Sequence, residues 1–206
     1  MIYTPALFRE DDLSVAHALI RRYSFGTLVC RLDGQLEATH VPFLIDPERG
    51  AKGTLAAHVS RANPIWRGVG GADDVLAIFT GPHAYVSPAW YVNADNVPTW
   101  NYVAVHATGR GRIVEGVPAT LDFLKKLVDV NEAEKMGPPW SMEKLPSGFA
   151  ETLAREIVAF EIEIAEVVCK LKLSQNRKPE DRAGAIAGLR AQGGPTAVDV
   201  ARLMRP

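Results

Sequence analysis

The stretch FGTLVCRLDGQLEATHVPFLI, residues 25–45, decides the fold, because it holds two β-prone runs separated by one turn signal. The turn signal is the dipeptide Asp33-Gly34, and Asp-Gly between apolar runs is typical of a β-hairpin. Both runs are rich in residues that favour strands. The sequence therefore predicts that the sheet begins as an antiparallel hairpin.

Four later segments have the composition of strands, and they are residues 54–59, 75–79, 99–115 and 160–173. The third is long and rich in β-branched and aromatic residues. Gly109 and Gly111 interrupt it, and glycine inside a strand marks a bulge or a close approach of another backbone. With the hairpin, these segments predict about six strands. Bends and extended loops are expected at Pro82, Pro88 and Pro98.

Helical patterns flank the strands. Apolar spacing predicts a helix over 13–23 that Asp11 and Asp12 can cap, and another that opens at Pro118 and runs through Val128. Shorter helices are expected over about 149–157, 179–191 and 196–204. This order predicts a mainly β (α+β) fold, an antiparallel barrel or sheet with peripheral helices. We expect a single domain over residues 1–206, with a helical tail from about residue 179.

Composition excludes several classes of protein. The chain has 206 residues, with 23 Lys and Arg against 24 Asp and Glu and a formal net charge of −1. Proteins that coat nucleic acid need an excess of basic residues, so this class is disfavoured. Hydrophobic residues make up 47% and charged residues 23%, which argues against disorder. The absence of a bilayer-spanning run or a signal-peptide pattern predicts a cytoplasmic protein without membrane contact, in which Cys30 and Cys169 are buried thiols.

Motifs for several common chemistries are missing. The segments GVGGAD from Gly68 and GRGRIV from Gly109 both lack the third glycine of a dinucleotide-binding loop. No GxSxG elbow of a serine hydrolase occurs. The histidines are too widely separated for paired metal ligation, so no metal site is expected. They are His17, His40, His58, His83 and His106.

Polar residues are concentrated where the strand over 54–59 ends. The segment HVSRANPIWR, residues 58–67, carries Ser60, Arg61 and Asn63. Hydroxyl, guanidinium and backbone amide groups can together hold a phosphate. The same residues are also typical of an ordinary capped turn, and the sequence leaves both interpretations open.

Two further segments combine polar and aromatic groups. In PTWNYVAVHATGRGR, residues 98–112, alternation places Trp100 and Tyr102 on one face of the strand, although aromatic residues on strands are usually core residues. In CKLKLSQNRK, residues 169–178, basic side chains on one face are followed at once by polar side chains. This order favours an edge that binds an anion or a polar ring over a merely solvated face.

Four of these segments together resemble one protein family. They are HVSRANPIW (58–66), GPHAYVSPAWY (81–91), PTWNYVAVHATGR (98–110) and KLKLSQNR (170–177). The chain resembles the PaiB family, described as FMN-binding negative transcriptional regulators, and the similarity extends over nearly the full chain. The resemblance implies an antiparallel split β-barrel related to the pyridoxamine phosphate oxidase-like proteins. It also implies a homodimer that holds FMN at the subunit interface.

The resemblance further implies which residues contact FMN. The segment from Ser60 to Asn63 matches the place where split barrels commonly hold the FMN phosphate, and the flavin ring is expected near residues 100–102, which the partner subunit can contribute. The candidate FMN residues are Thr39, His40, Ser60, Arg61, Asn63, Trp100, Asn101, Tyr102, Lys172, Gln175, Asn176 and Arg177. The chain departs from the family pattern at Asn131, where family members often carry histidine before the glutamate that is Glu132 here.

Three functions are compatible with this sequence. The first is an FMN-binding regulator of transcription, as the resemblance implies. The second is a flavin-dependent oxidoreductase or flavin reductase acting on a small molecule, because the cofactor would supply the chemistry and no catalytic constellation need be visible. The third is a binding module that has lost the ligand or that uses haem.

The C-terminal tail gives direct DNA binding only weak support. From residue 178 onward it has five basic residues and three acidic ones, a net charge of +2. Its two helices can be drawn as a helix-turn-helix, but the second offers only Arg202 and Asp199 as charged groups. A recognition helix needs several groups that reach bases and phosphates. We therefore expect the tail to pack on the barrel or on the dimer.

Overall fold

The computed structural model describes residues 2–93, 95–133 and 135–204. In these residues eight strands form one sheet, with the order β3-β2-β6-β7-β8-β5-β4 and with β1 paired to β8. The strands are β1 (Arg9–Glu10), β2 (Phe25–Leu32), β3 (Gln35–Pro42), β4 (Leu44–Asp46), β5 (Thr54–Ser60), β6 (Val75–Val86), β7 (Thr99–Ile113) and β8 (Ile157–Lys172). The α-helices are α1 (Leu13–Arg22), α2 (Ile65–Val69), α3 (Val117–Ala133), α4 (Phe149–Arg155), α5 (Pro179–Gln192) and α6 (Pro195–Leu203). Short 3-10 helices cover Ala6–Phe8, Pro88–Trp90 and Met142–Lys144.

The predicted hairpin is present as β2 and β3. The two strands pair in antiparallel register as far as Leu32 opposite Gln35. Asp33 and Gly34 form the turn with φ values of 51° and 81°. Two successive positive φ angles are the requirement of a type I′ turn, which Asp-Gly satisfies. The hairpin prediction is therefore confirmed.

The expected number of about six strands is too low. The hairpin's second run divides at Phe43, beyond which Leu44–Asp46 leave β2 and pair with β5 as the separate strand β4. The strand expected over 75–79 continues to Val86 through Pro82, because a proline removes only one ladder donor. The strand β1 and the helix α2 were not predicted, because they are too short for the spacing of their apolar residues to indicate a secondary structure. The mainly β fold with antiparallel pairing and flanking helices is confirmed.

Contacts within the chain group its residues into two compact units. Unit 1 comprises Met1–Leu19, Phe79–His106 and Val167–Pro206, and unit 2 comprises Ile20–Ile78 and Ala107–Glu166. The single-domain organisation expected from the sequence stays a prediction.

Unit 1 has a core to which the C-terminal tail contributes more than half of the buried residues. Helices α5 and α6 pack against each other and against strand residues through small and branched apolar side chains. The buried members are Ala84, Val86, Val103, Leu173, Ala185, Ile186, Leu189, Ala197, Val200, Ala201 and Met204. The tail therefore packs on the body of the protein, as the sequence predicts.

Unit 2 is built on the pairing of β5 with β8. Leu55 lies opposite Ile162 and Ala57 opposite Phe160, and all four are fully buried. Gly109 and Gly111 of β7 are close-approach points, as predicted: a Cβ at Gly109 would lie 2.0 Å from Glu163 O, and one at Gly111 would lie 2.3 Å from Val69 O. Only glycine fits at such distances.

Cys30 and Cys169 are buried and unpaired, as predicted, and burial raises the pKa of Cys169 to about 12. No group of three or more His, Cys, Asp or Glu residues in the described part of the chain is arranged to hold a metal ion. Among the described residues, no helix combines the length and the apolar character needed to cross a membrane.

Candidate functional site

The turn that follows β5 in unit 2 uses its side-chain acceptors on its own backbone. Ser60 Oγ accepts a hydrogen bond from the backbone N–H of Ala62 at 3.3 Å, and Asn63 Oδ1 accepts one from Ile65 N–H at 3.1 Å. These are the short-range bonds by which Ser and Asn stabilise turns. Among the described residues, the Ser60 hydroxyl hydrogen and the Asn63 side-chain N–H groups donate to no acceptor, so they are available to a ligand.

Arg61 joins this turn to the corner between α4 and β8. Its Nε donates to Arg155 O at 2.6 Å and its Nη2 to Ile157 O at 2.8 Å, while its backbone N–H donates to Glu156 O. Its own carbonyl accepts from Trp66 Nε1 at 3.2 Å. The guanidinium is thereby held in one orientation, and its Nη1 makes no hydrogen bond within the described residues.

The donors that remain on this turn suit an anion. They are the Ser60 hydroxyl, Arg61 Nη1 and the Asn63 side-chain amide, and Ser60 and Arg61 are exposed. A fixed guanidinium with neutral donors beside it is the chemistry that a phosphate requires. A cavity of about 480 Å³ adjoins Arg61, with Trp66 and Gly116 in its wall. The turn therefore has donors of the kind that a phosphate group requires.

Thr39 and His40 also lie in unit 2, on β3 of the hairpin. They stand opposite Leu28 and Thr27 of β2. The His40 imidazole is exposed and stacks on the ring of Phe25 with 6.2 Å between ring centroids. No hydrogen bond among the described residues joins either side chain to the turn after β5. A larger cavity of about 980 Å³ in unit 2 is lined by none of the twelve predicted residues.

Unit 1 presents three exposed aromatic rings, which we call the aromatic face: His83, Tyr85 and Trp100. The Trp100 ring is 53% exposed and lies 5.9 Å from the His83 ring and 6.2 Å from the Tyr85 ring, measured between centroids. Tyr85 is 43% exposed. A cluster of exposed aromatic side chains usually marks a surface that binds a ligand or a partner. Only Trp100 was among the predicted site residues.

The prediction missed His83 and Tyr85, although a signal for them was present. In β6 the residues Ala84 and Val86 are buried in the core of unit 1, so strand alternation exposes His83 and Tyr85. The expectation of a bend near Pro82 concealed this alternation.

Most of the other predicted residues in unit 1 stabilise the polypeptide itself. Asn101 is fully buried and exchanges hydrogen bonds with Ser174 through Nδ2 to Oγ at 3.0 Å and Oγ to Oδ1 at 3.1 Å. Gln175 folds back, so that its Oε1 accepts from Leu173 N–H at 2.7 Å and its Nε2 donates to Leu171 O. Both side chains hold the turn after β8.

The basic residues near this turn are also engaged. Lys172 Nζ donates to Thr99 Oγ1 at 2.7 Å. The Arg177 guanidinium donates to Asn96 Oδ1 and lies 5.2 Å from the centroid of the Tyr91 ring. Neither pairs with a carboxylate in the described residues, so both keep their positive charge available to an anionic or electron-rich ligand. Asn176 is exposed and makes no hydrogen bond to the described residues.

Lys170 is a buried lysine that the site prediction left out. It is 7% exposed, donates to Tyr3 O at 2.7 Å and lies 5.3 Å from the centroid of the Tyr102 ring. Tyr102 is therefore already covered on one side by an ammonium group. Because Tyr102 is partly buried and lies beside the Lys170 ammonium group, Trp100 is the more accessible of the two rings in the TWNY segment.

His58, at the start of the turn segment, gives the stability a pH dependence. Its Nδ1 is buried and has no hydrogen-bond partner in the described residues, and its ring packs edge-on to Phe123 at 5.7 Å. Burial lowers the pKa of His58 below its ordinary value of 6.5. As the pH drops below 6.5, the unfolded chain takes up a proton at His58 while the folded protein keeps the imidazole neutral. The contribution of His58 to the stability of the fold is therefore fully present above pH 6.5 and decreases as the pH drops below 6.5.

We expect the melting temperature of the parent protein to be lower at pH 5.5 than at pH 7.5. The difference should be smaller in the His58→Phe variant, because a phenylalanine ring cannot titrate. Calorimetry at the two pH values measures the difference. His40→Phe, at an exposed position, serves as the matched control and should keep the full fall. If His58→Phe and the parent protein lose stability equally on acidification, His58 is not a source of the pH dependence.

Comparisons with known proteins show which family the chain belongs to. A family model described as "Putative FMN-binding domain" matches residues 2–166. The chain is 33% identical over 204 residues to the Protease synthase and sporulation protein PAI 2 of Bacillus subtilis (strain 168), and the match covers 98% of this chain and 96% of that protein.

Two solved structures have a similar fold. The flavocytochrome Anf3 from Azotobacter vinelandii superposes with a TM-score of 0.60 at 16% identity, over 80% of this chain and 69% of that one. The FAD and heme binding protein from Mycobacterium smegmatis superposes with a TM-score of 0.60 at 14% identity, over 91% of this chain and 80% of that one. At these identities the likeness concerns the split-barrel fold alone.

The family match identifies the cofactor as FMN. The donor-rich turn of unit 2 is chemically suited to a phosphate group. When bound, FMN supplies redox chemistry through its flavin ring, while the chain supplies anchoring and orientation. The chain belongs to the PaiB family of FMN-binding proteins.

Proposed function

We propose that this protein is a negative regulator of transcription that works as a homodimer and holds FMN at the subunit interface. Its FMN phosphate lies on the turn of Ser60, Arg61 and Asn63, and the flavin ring lies against Trp100 of the aromatic face presented by the partner copy. The observation that carries the proposal is the turn after β5, where acceptors are used by the backbone and donors are left for an anion.

The aromatic face supports the homodimer. Trp100 and Tyr85 keep about half of their surface exposed, on strands whose other side forms a core. Covering water-exposed aromatic rings with a partner or a flavin is favourable, because it removes apolar surface from water. A particle that holds FMN but has the mass of one chain, 22.4 kDa, would contradict this part of the proposal.

The tail supports regulation that does not depend on base reading by α6. The buried side of α6 contributes Ala197, Val200 and Ala201 to the core of unit 1, and its Arg202 donates to Asp199 at 3.0 Å. A helix used in this way has few groups left for bases and phosphates. Two routes of regulation then fit the dimer: action through a partner protein, or contact with DNA by elements other than α6.

Transcript profiles test the regulatory role. In a strain that lacks the protein, transcripts under its control should rise, and restoring the parent protein should return them to their starting level. Restoring Arg61→Ala should not, since this variant loses the phosphate anchor, whereas Arg31→Ala at an exposed hairpin position should act like the parent. If no transcript responds and the FMN-loaded protein steadily oxidises NAD(P)H, the protein is a flavin-dependent oxidoreductase instead.

A further inference from the structure

The chain between the 3-10 helix after β6 and the start of β7 is described at residues 91–93 and 95–98, which we call loop 91–98, and these residues are tied to the C-terminal tail. Asp181 stands in the first turn of α5 and is 2% exposed. Its Oδ1 accepts hydrogen bonds from the backbone N–H groups of Val92 at 2.9 Å and Asn93 at 3.1 Å. Its Oδ2 accepts from Asn93 Nδ2 at 2.9 Å and Asn96 Nδ2 at 3.2 Å. One buried carboxylate thus holds three residues of an irregular loop.

Asn96 extends this connection to Arg177. Its Nδ2 donates to Asp181 and to Asn93 O, while its Oδ1 accepts from the Arg177 guanidinium. The same guanidinium lies over the Tyr91 ring and reaches Val97 O at 3.4 Å. Every polar atom of the Asn96 side chain is used, so rotation of this amide would break several bonds at once.

The beginning of the loop is fixed by close packing. A Cβ on Gly184 would lie 2.0 Å from Trp90 O, and one on Gly188 would lie 2.2 Å from Trp90 Cδ2. These glycines are one turn apart on α5, so the Trp90 backbone and indole lie directly on the helix. The loop therefore starts from a fixed point on α5.

The end of the loop is fixed on both sides of Trp100. Thr99 accepts from Lys172 Nζ at 2.7 Å, and the fully buried Asn101 is bonded to Ser174. Ser174 adopts a φ of 65°, a conformation that a non-glycine residue keeps only when its surroundings hold it there. Trp100 is exposed between two anchored neighbours.

We propose that Asp181 is a positioning residue that, through loop 91–98, fixes Trp100 in one orientation as a preformed surface for the flavin ring. The identification of the ligand as a flavin rests on the proposed function, whereas the fixed orientation of Trp100 does not. Asp181 and the rest of the tail lie beyond residue 166, where the match to the family model ends. A surface that is ordered before binding saves the free energy of ordering it afterwards.

The test labels the four tryptophans with 5-fluorotryptophan and follows Trp100 by 19F NMR, with the signal assigned through Trp100→Phe. The parent protein should show one sharp Trp100 line. Asp181→Asn keeps the shape of the side chain but replaces the Oδ2 acceptor of Asn93 and Asn96 with an N–H donor. The loop should then lose these hydrogen bonds, and the Trp100 line should broaden or split. Asn96→Ala, on the loop itself, should do the same if Asp181→Asn does not fold.

A second measurement, the titration of each folded variant with FMN, links orientation to binding. Asp181→Asn should bind FMN about two- to tenfold more weakly, the cost of ordering one further side chain. Adding Asn96→Asp to Asp181→Asn restores a donor–acceptor pair at this contact and should recover part of the sharp line. Asp199→Asn, a carboxylate on α6, is the matched control and should resemble the parent.

The outcomes separate this inference from the proposed function. An unchanged Trp100 line in Asp181→Asn and Asn96→Ala overturns the positioning role, whether or not FMN binds. A changed line with unchanged FMN affinity overturns the link between Trp100 and the flavin ring. If the parent protein binds no FMN, the proposed function fails, and the NMR line alone decides whether Asp181 positions Trp100.

Discussion

Replacing Arg61 with alanine should weaken FMN binding by about tenfold to a hundredfold, because a hydrogen bond to a charged group contributes roughly 1.5–3 kcal/mol. The two bonds from this guanidinium to the carbonyls of Arg155 and Ile157 hold it in place before the ligand arrives. Titration of the apo variant with FMN, followed by quenching of flavin fluorescence, gives the dissociation constant.

Two variants separate the phosphate contact from the structural contacts of Arg61. Arg61→Lys keeps the charge but loses the planar fork, so its FMN affinity should lie between those of the parent and of Arg61→Ala. Arg31→Ala removes an exposed arginine whose Nη1 donates to Gly34 O, and it should bind FMN like the parent. Equal affinity of Arg61→Ala and the parent would place the phosphate elsewhere in the molecule.

Replacing Gly109 with alanine should destabilise the protein by about 3 kcal/mol or more, at or above the upper end of the usual range for overpacking. The new Cβ would lie 2.0 Å from Glu163 O and 2.9 Å from Glu163 C. Both obstacles are backbone atoms of β8, so relief requires the two strands to move apart. For a chain of this length we expect the melting temperature to fall by about 6–12 °C.

Gly137→Ala is the matched control for this substitution. Gly137 has a φ of 101°, and apart from its chain neighbours no atom of the described residues lies within 4 Å of the added Cβ, so only the backbone conformation is penalised. That penalty is about 1–2 kcal/mol. A fall in melting temperature for Gly109→Ala no larger than that for Gly137→Ala would contradict the close approach of β7 to β8.

The parts of the fold that local rules determine could be predicted from the sequence. Asp33-Gly34 allows the positive φ angles of its turn, and Gly109 leaves room for a neighbouring backbone, and both features are visible in single residues. The extent of β6 could not be predicted in the same way. Pro82 is unfavourable within a strand, and the burial of Ala84 and Val86 in the core of unit 1, which supports the strand beyond it, depends on residues far away in the sequence.

The candidate site residues could be proposed from the sequence, but the hydrogen bonds of their side chains could not be predicted from it. Strand alternation gives the side on which a residue lies, but it does not identify the partner of its polar group. Gln175 was expected near the cofactor, yet both ends of its amide bind the backbone of its own turn. Asp181 gave no signal, because its partners lie more than 80 residues away in an irregular loop.

The most direct test of the central claim is a titration of the purified apo protein with FMN, read by flavin absorbance and fluorescence. The account predicts saturable binding of one FMN per chain, with flavin fluorescence quenched by the aromatic face. Absence of saturable binding to a folded protein would contradict it and would withdraw FMN from both the turn after β5 and Trp100.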